Sequence, residues 1–181
     1  MQFKTSTGRI KHEIAGPLSA ANLEGVDLTG VVLQEQDLRA ANFSGARLVG
    51  ANFFSADLRG ASFAGANLEG AFFDAANLEG AKLQNADLYW ASFVMANPAN
   101  ADLQGASLRG AILTEANLAG ANLRHANLGR DNLGSATRLQ GTNLSNANLQ
   151  GARFDGAEFD ERTRLPRDFN PASAGMTSRA P

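Results

Sequence analysis

Residues 41–80 read ANFSGARLVGANFFSADLRGASFAGANLEGAFFDAANLEG, and the spacing inside this stretch decides the fold. Leu or Phe falls on every fifth residue, at Phe43, Leu48, Phe53, Leu58, Phe63, Leu68, Phe73 and Leu78. Alanine stands two residues before each of these centres, and glycine often stands two residues after, as at Gly45, Gly60 and Gly65. A period of five matches neither the 3.6 of a helix nor the 2.0 of a flat strand. On a helix the apolar stripe would turn by about 140° per step and bury no continuous face. A chain that turns a corner once per unit instead puts the centre and its alanine inside on every side. The alanine content alone would suggest helices, but periodicity overrides propensity here.

Outward from this stretch, the beat starts at Leu18 and continues to Leu133, with Pro98 as its one exception. After a spacing of six it resumes at Leu139, Leu144, Leu149, Phe154 and Phe159, so 28 of 29 centres are Leu or Phe and chance is negligible. Alanine occupies the preceding inward site without exception from Ala41 to Ala126. Four units make one square coil. Coils stacked by parallel backbone pairing at about 4.8 Å give a little over seven turns and a rod of roughly 35 Å. Glycine or asparagine near each corner tolerates the turn dihedrals, and the Asn, Asp or Ser before each centre, such as Asn22, Asp27 and Asn42, can bond the local backbone.

Steps of twenty place Phe43, Phe63, Leu83, Leu103 and Leu123 in one inner column, with Phe53, Phe73, Phe93, Leu113 and Leu133 opposite. Pro98 replaces a large inward residue and removes a backbone donor, which predicts a local cavity or pinch. The extra residue between Leu133 and Leu139 predicts an outward bulge near Gly134 to Arg138, with Asp131 on an alanine site and Arg138 where leucine would have been. A solenoid exposes an unfilled core at both ends, so each needs a cap. Residues 1–17 are expected to supply the first, with Phe3, Ile10 and Ile14 covering the first coil as a strand or a short helix. The repeat domain spans 18–160. Residues 161–181 form a C-terminal cap and tail, with Leu165, Phe169 and Met176 as plugs and Thr177 to Pro181 frayed.

The A-(N/D/S)-(L/F)-x-(G/x) unit, continuous from Leu18 to Phe159, resembles the pentapeptide-repeat family. The resemblance implies an all-β fold, a right-handed quadrilateral parallel β-helix, with the central Leu/Phe and the preceding small residue inward. The TRLP...F.P..AGM pattern after Arg162 is similar to the terminal segment of members from photosynthetic organisms, including cyanobacteria. Members of the family range from proteins that protect or inhibit DNA gyrase to many of unknown activity.

The rest of the composition narrows function. The 181 residues fit one domain, and a net charge of -2 favours neither a basic nucleic-acid binder nor a polyanion. Cysteine is absent, and His12 and His125 are too few for a histidine metal centre, so no cofactor is expected. No P-loop, HExxH or nucleotide-binding glycine fingerprint occurs, and a filled core leaves no pocket, so the protein is expected not to be an enzyme. The first sixteen residues lack an apolar h-region and no stretch approaches 18 consecutive apolar residues, so a soluble cytoplasmic protein is expected.

Only the outward positions can carry recognition. On one side Val32, Phe54, Phe72, Val94 and Ile112 recur coil after coil, and Tyr89, Trp90 and Met95 extend the patch toward the adjoining corner. Such a stripe points to an unidentified protein partner or to self-association rather than to nucleic acid. Incidental exposure is the competing explanation. The family offers one alternative, a gyrase-interacting DNA mimic; the acidic surface it needs is weak here, since Arg39 and Arg59 interrupt it, and Asp27, Asp37, Asp57, Asp74 and Asp87 keep it in play.

Overall fold

Leucine and phenylalanine at every fifth position converge on one dry column. Each centre from Leu18 to Leu128 is buried, as is each preceding alanine from Ala41 to Ala126. Two residues after each centre, from Ala20 to His125, the backbone adopts positive φ and turns the corner. A computed structural model describes residues 2–13 and 16–179, and the architecture is a right-handed quadrilateral β-helix of about seven coils. Backbone pairing between coils is short and regular. The Leu33 N–H donates to the Asn52 carbonyl at 2.7 Å, and the Asn52 N–H donates back to the Val31 carbonyl at 2.8 Å. Those two bonds, repeated around the rod, satisfy the inward strand groups that would otherwise be buried unpaired.

The four walls are distinguished by their centres. The first contains Leu38 and Leu58, the second Phe43 and Phe63, the third Leu48 and Leu68, and the fourth Phe53, Phe73 and Phe93. Rings in the same wall stack at 5.0 Å for Phe43 and Phe63, and at 4.9 Å for both Phe53 with Phe73 and Phe73 with Phe93. Rings from the two opposing walls meet edge to face, at 5.6 Å for Phe53 with Phe63 and 5.8 Å for Phe63 with Phe73. Both geometries place positive ring edges or offset faces against the negative π surface.

Pro98 keeps its place in the column and is buried. It has no N–H to give the following coil, but side chains bridge the gap. Asn97 donates to Asn77, Asn117 to Asn97 and Asn143 to Asn117, at 3.1, 2.9 and 3.0 Å, forming an amide ladder along the first wall.

The irregularity after Leu128 differs from the expected single-residue bulge. Ile112 pairs with Arg138, and Asn127 with Arg153, so the step between coils rises from 20 to 26. Six residues, 131–136, are inserted at the corner between the third and fourth walls. Leu133 therefore leaves the column and stands 78% exposed, while Leu139 takes the site below Leu113. Thr137, not Asp131, fills the alanine site, and its hydroxyl donates to the Leu108 or Gly129 carbonyl. Arg138 occupies the outward position just before Leu139 rather than a leucine site.

At the N-terminal end, strand β1 (Gln2–Lys4) pairs antiparallel with β2 (Ile10–Glu13). Phe3 is buried, but Ile10 is 46% exposed; Ile14 lies outside the described residues. The Val32 N–H donates to the Lys4 carbonyl, so the hairpin lies across the open edge of the fourth wall. At the other end β3 (Glu158–Phe159) pairs in parallel with β4 (Thr177–Ser178). Thr177 and Ser178 are thus a strand and not a frayed tail; Ala180 and Pro181 lie outside the described residues. Met176 is buried, Leu165 and Phe169 are partly buried, and the Phe154 and Phe169 rings meet at 5.2 Å.

Candidate interaction face

The fourth wall carries one unbroken ladder, Val32, Asn52, Phe72, Ser92, Ile112, Arg138 and Glu158, all at the position before the centre. Phe54, Asp74, Val94 and Thr114 occupy the position after it. The structure therefore brings Val32, Phe54, Phe72, Val94 and Ile112 to one wall, but as a zigzag between two columns rather than a straight stripe. Polar partners fill the alternate sites. Asn52 accepts the Phe54 N–H at 2.9 Å, while Asp74 accepts the Val94 N–H at 3.0 Å and the Ser92 hydroxyl. Phe54 is 44% exposed and Phe72 49%, against half-buried Val32, Val94 and Ile112, so the two phenylalanines are the protruding features of the wall.

The three remaining candidates do not share a corner. Met95, 58% exposed, stands at the corner with the first wall; Trp90 stands at the corner with the third, with Tyr89 beside it. The Tyr89 and Trp90 rings lie 4.7 Å apart, and the Arg109 guanidinium stands 6.0 Å from the Tyr89 centroid.

Trp90 is held in place. Its ring crosses Gly110 of the following coil, where an added Cβ would come within 2.6 Å of Cδ1, and its Nε1–H donates to Asp131 at 2.6 Å. Asp131 also accepts the Leu133 and Ser135 N–H groups at 2.8 and 2.7 Å, which closes the inserted loop on itself. Burial alone would raise the Asp131 pKa, but these three donors outweigh it and hold the carboxyl below its ordinary value. Trp90 is thus a brace for the insertion as well as a half-exposed surface. Leu133, the most exposed large apolar residue here, escaped the sequence reading because it falls on the five-residue beat; the departure from alanine at Asp131 was the available signal.

The acidic residues form no continuous wall. Arg39 pairs with Asp37 at 2.7 Å and Arg59 with Asp57 at 2.6 Å. Among the described residues, no group of three or more His, Cys, Asp or Glu could hold a metal ion, and no helix is long and apolar enough to cross a membrane.

Comparison with known proteins fits this geometry. The model described as pentapeptide repeats matches eight copies, over residues 18–53, 56–93, 99–130 and 135–161. No curated protein gives a match. Among solved structures, alr5209, a pentapeptide repeat protein from Nostoc PCC 7120, is 36% identical over 60% of this chain and 84% of its own, with a TM-score of 0.56. HetL, a pentapeptide repeat protein involved in heterocyst differentiation regulation in the cyanobacterium Nostoc sp. strain PCC 7120, is 30% identical over 90% and 83%, with a TM-score of 0.35. A pentapeptide repeat protein of the Arabidopsis thaliana thylakoid lumen is 31% identical over 62% and 68%, with a TM-score of 0.20.

Proposed function

The chain belongs to the pentapeptide-repeat family, and from that premise we propose that it is a non-enzymatic binding rod of the cytoplasm whose fourth wall meets a protein partner or a second copy. The observation that carries this reading is the protrusion of Phe54 and Phe72 from successive coils of one wall. Aromatic side chains fixed on a rigid scaffold lose little entropy when covered, which suits them as contact anchors. Residues 1–17 and 161–181 serve as end caps around the 18–160 repeat domain. On the fourth wall, β1 and β4 block the strand edges at both ends, so recognition falls to side chains and not to edge-to-edge strand addition.

The alternative, a gyrase-interacting DNA mimic, requires an acidic face, and the Arg39–Asp37 and Arg59–Asp57 pairs disrupt one. The test uses Phe54→Ser with Phe72→Ser rather than any change at Trp90, whose bracing role would confuse the result. Sedimentation over a range of concentrations, with retention of native-cell partners, should show weaker self-association or lost retention in the double variant. Unchanged assembly and unchanged retention would overturn the reading, and gyrase supercoiling inhibited or protected by the wild type would favour the alternative. Cell fractionation checks the compartment.

A further inference from the structure

The C-terminal coils carry a second surface of different chemistry. An open groove runs between the inserted loop and the fourth wall. Trp90 and Ile112 form its apolar side, Gly134 to Ala136 its outer rim, and Arg130 and Arg138 reach into it. Three other arginines at this end have carboxylate partners, Arg153 with Asp155, Arg162 with Asp160 and Glu115, and Arg179 with Glu158, whereas Arg130 and Arg138 line the groove without one among the described residues. Arg130 bonds a neutral oxygen, donating to the Gly134 carbonyl at 3.0 Å. Arg109, on the third-wall flank of the loop, likewise donates to the Arg130 carbonyl and the Asn132 side chain. Arg138 is exposed and pairs with no carboxylate among the described residues. The nearest loop carboxylate, Asp131, is engaged by Trp90, Leu133 and Ser135.

Two guanidiniums without an ion-pair partner thus stand beside an indole and an isoleucine on a rigid scaffold, and the neighbouring Glu158 is held by Arg179. We propose that this groove binds an acidic, partly apolar peptide segment of a partner protein. Its carboxylates meet Arg130 and Arg138, and an apolar side chain lies against Trp90 and Ile112. Arginine forks match carboxylates in geometry as well as charge. An unbroken phosphate chain fits less well, because it carries no apolar side chain to set against Trp90 and Ile112. The inference deepens the reading of the rod as a binding protein, but uses a surface separate from Phe54 and Phe72.

Trp90 is the sole tryptophan, so its emission reports directly on the groove. The probe is a terminally blocked peptide alternating Glu-Asp pairs with leucine, titrated against the full chain. A saturable emission change is expected, about tenfold weaker for the Gln-Asn version of the peptide and for Arg138→Glu. Arg138→Glu should in turn gain affinity for a Lys-Leu peptide; its side chain is exposed and unbonded, so the charge reversal leaves the fold intact by circular dichroism. Phe54→Ser with Phe72→Ser should bind the acidic peptide as the wild type does, which separates this groove from the fourth-wall interface. Equal binding of acidic and neutral peptides, no binding by folded wild type, or equally tight binding of a single-stranded oligonucleotide of the same charge would each overturn the proposal.

Discussion

In the coils up to Phe93, five phenylalanine rings line two opposing walls of the column, and the corner glycines from Gly25 to Gly80 have open space where a Cβ would go. In the coils beyond it leucine predominates in the column until Phe154, and the corner glycines lie beneath side chains from the coil before: Gly105 under Asn85, Gly110 under Trp90, Gly120 under Asn100 and Gly151 under His125. The same five-residue unit is therefore stabilised in two ways. The first half relies on ring stacking inside the column, whereas the second adds clasps in which a corner side chain lies over a glycine of the next coil. Such clasps explain how a corner can lengthen by six residues without loss of register. Trp90 and Asp131 span the insertion from above, and the Thr137 hydroxyl donates either to the Leu108 carbonyl of the coil before or to the Gly129 carbonyl just ahead of the loop.

The largest expected effect breaks the inner half of that comparison. Phe73 stacks on two rings and meets a third edge-on, so Phe73→Ala should cost about 3–5 kcal/mol in urea unfolding, and Leu113→Ala less, toward the lower part of about 2–5 kcal/mol. A reversed ranking would remove the distinction between the halves.

The outer half is tested at paired corners. Gly45→Ala and Gly110→Ala both place a Cβ at positive φ, which costs about 1–2 kcal/mol each. Gly110→Ala must also displace the Trp90 ring, adding about 1–3 kcal/mol, and Trp90→Ala should abolish that increment in a double-mutant cycle. Equal costs at the two corners would show that the clasp contributes nothing.

Acid should open the clasped end first. Burial would raise Asp160, but the Gly141 N–H, Arg162 and Thr163 outweigh it and lower its pKa to about 2, and Asp131 is lowered in the same direction. An aspartate depressed in the folded state contributes stability above its unfolded value, about 3.9, and loses it as pH falls toward the folded value. Asp27 and Asp37 are also lowered to about 2, the first mainly by Thr29 and the second by Arg39, but both sit in exposed pairs that add little. Between pH 4 and about 2, hydrogen exchange should therefore rise first around residues 131–163, with a change in Trp90 emission. Earlier opening of the phenylalanine coils would contradict this. The smallest effect is on the face itself: Phe54→Ser or Phe72→Ser should alter stability by no more than about 0.5 kcal/mol, because neither supports the column.

Much of the fold was legible because its period is unusual and its inward sites are filled by few residue types. The alternation of Phe43 and Phe63 against Phe53 and Phe73 even gave the opposing ring walls. Leu133 misled for the same reason. A leucine on the beat reads as core, and only three-dimensional pairing of Ile112 with Arg138 reveals that the chain has left the column. The outward residues of the face were also legible by steps of twenty, but their zigzag and the separation of Trp90 from Met95 were not, since one-dimensional spacing does not distinguish the two columns of a wall from its two corners. The groove went unseen because it depends on which arginines lack partners, and pairing across coils sets that.

The register across the insertion is the point on which both the clasped half and the groove rest, and the cysteine-free chain allows it to be measured by cross-linking. Adjacent strands in a sheet bring paired Cα atoms to about 4.8 Å, within reach of a disulfide. Ile112→Cys with Arg138→Cys should oxidise readily to a cross-linked monomer, as should Asn52→Cys with Phe72→Cys in the regular half, while Ile112→Cys with Asn132→Cys should not. Cross-linking of the 112 and 132 pair, with none between 112 and 138, would mean that the coil step stays at twenty and that Leu133 remains in the core.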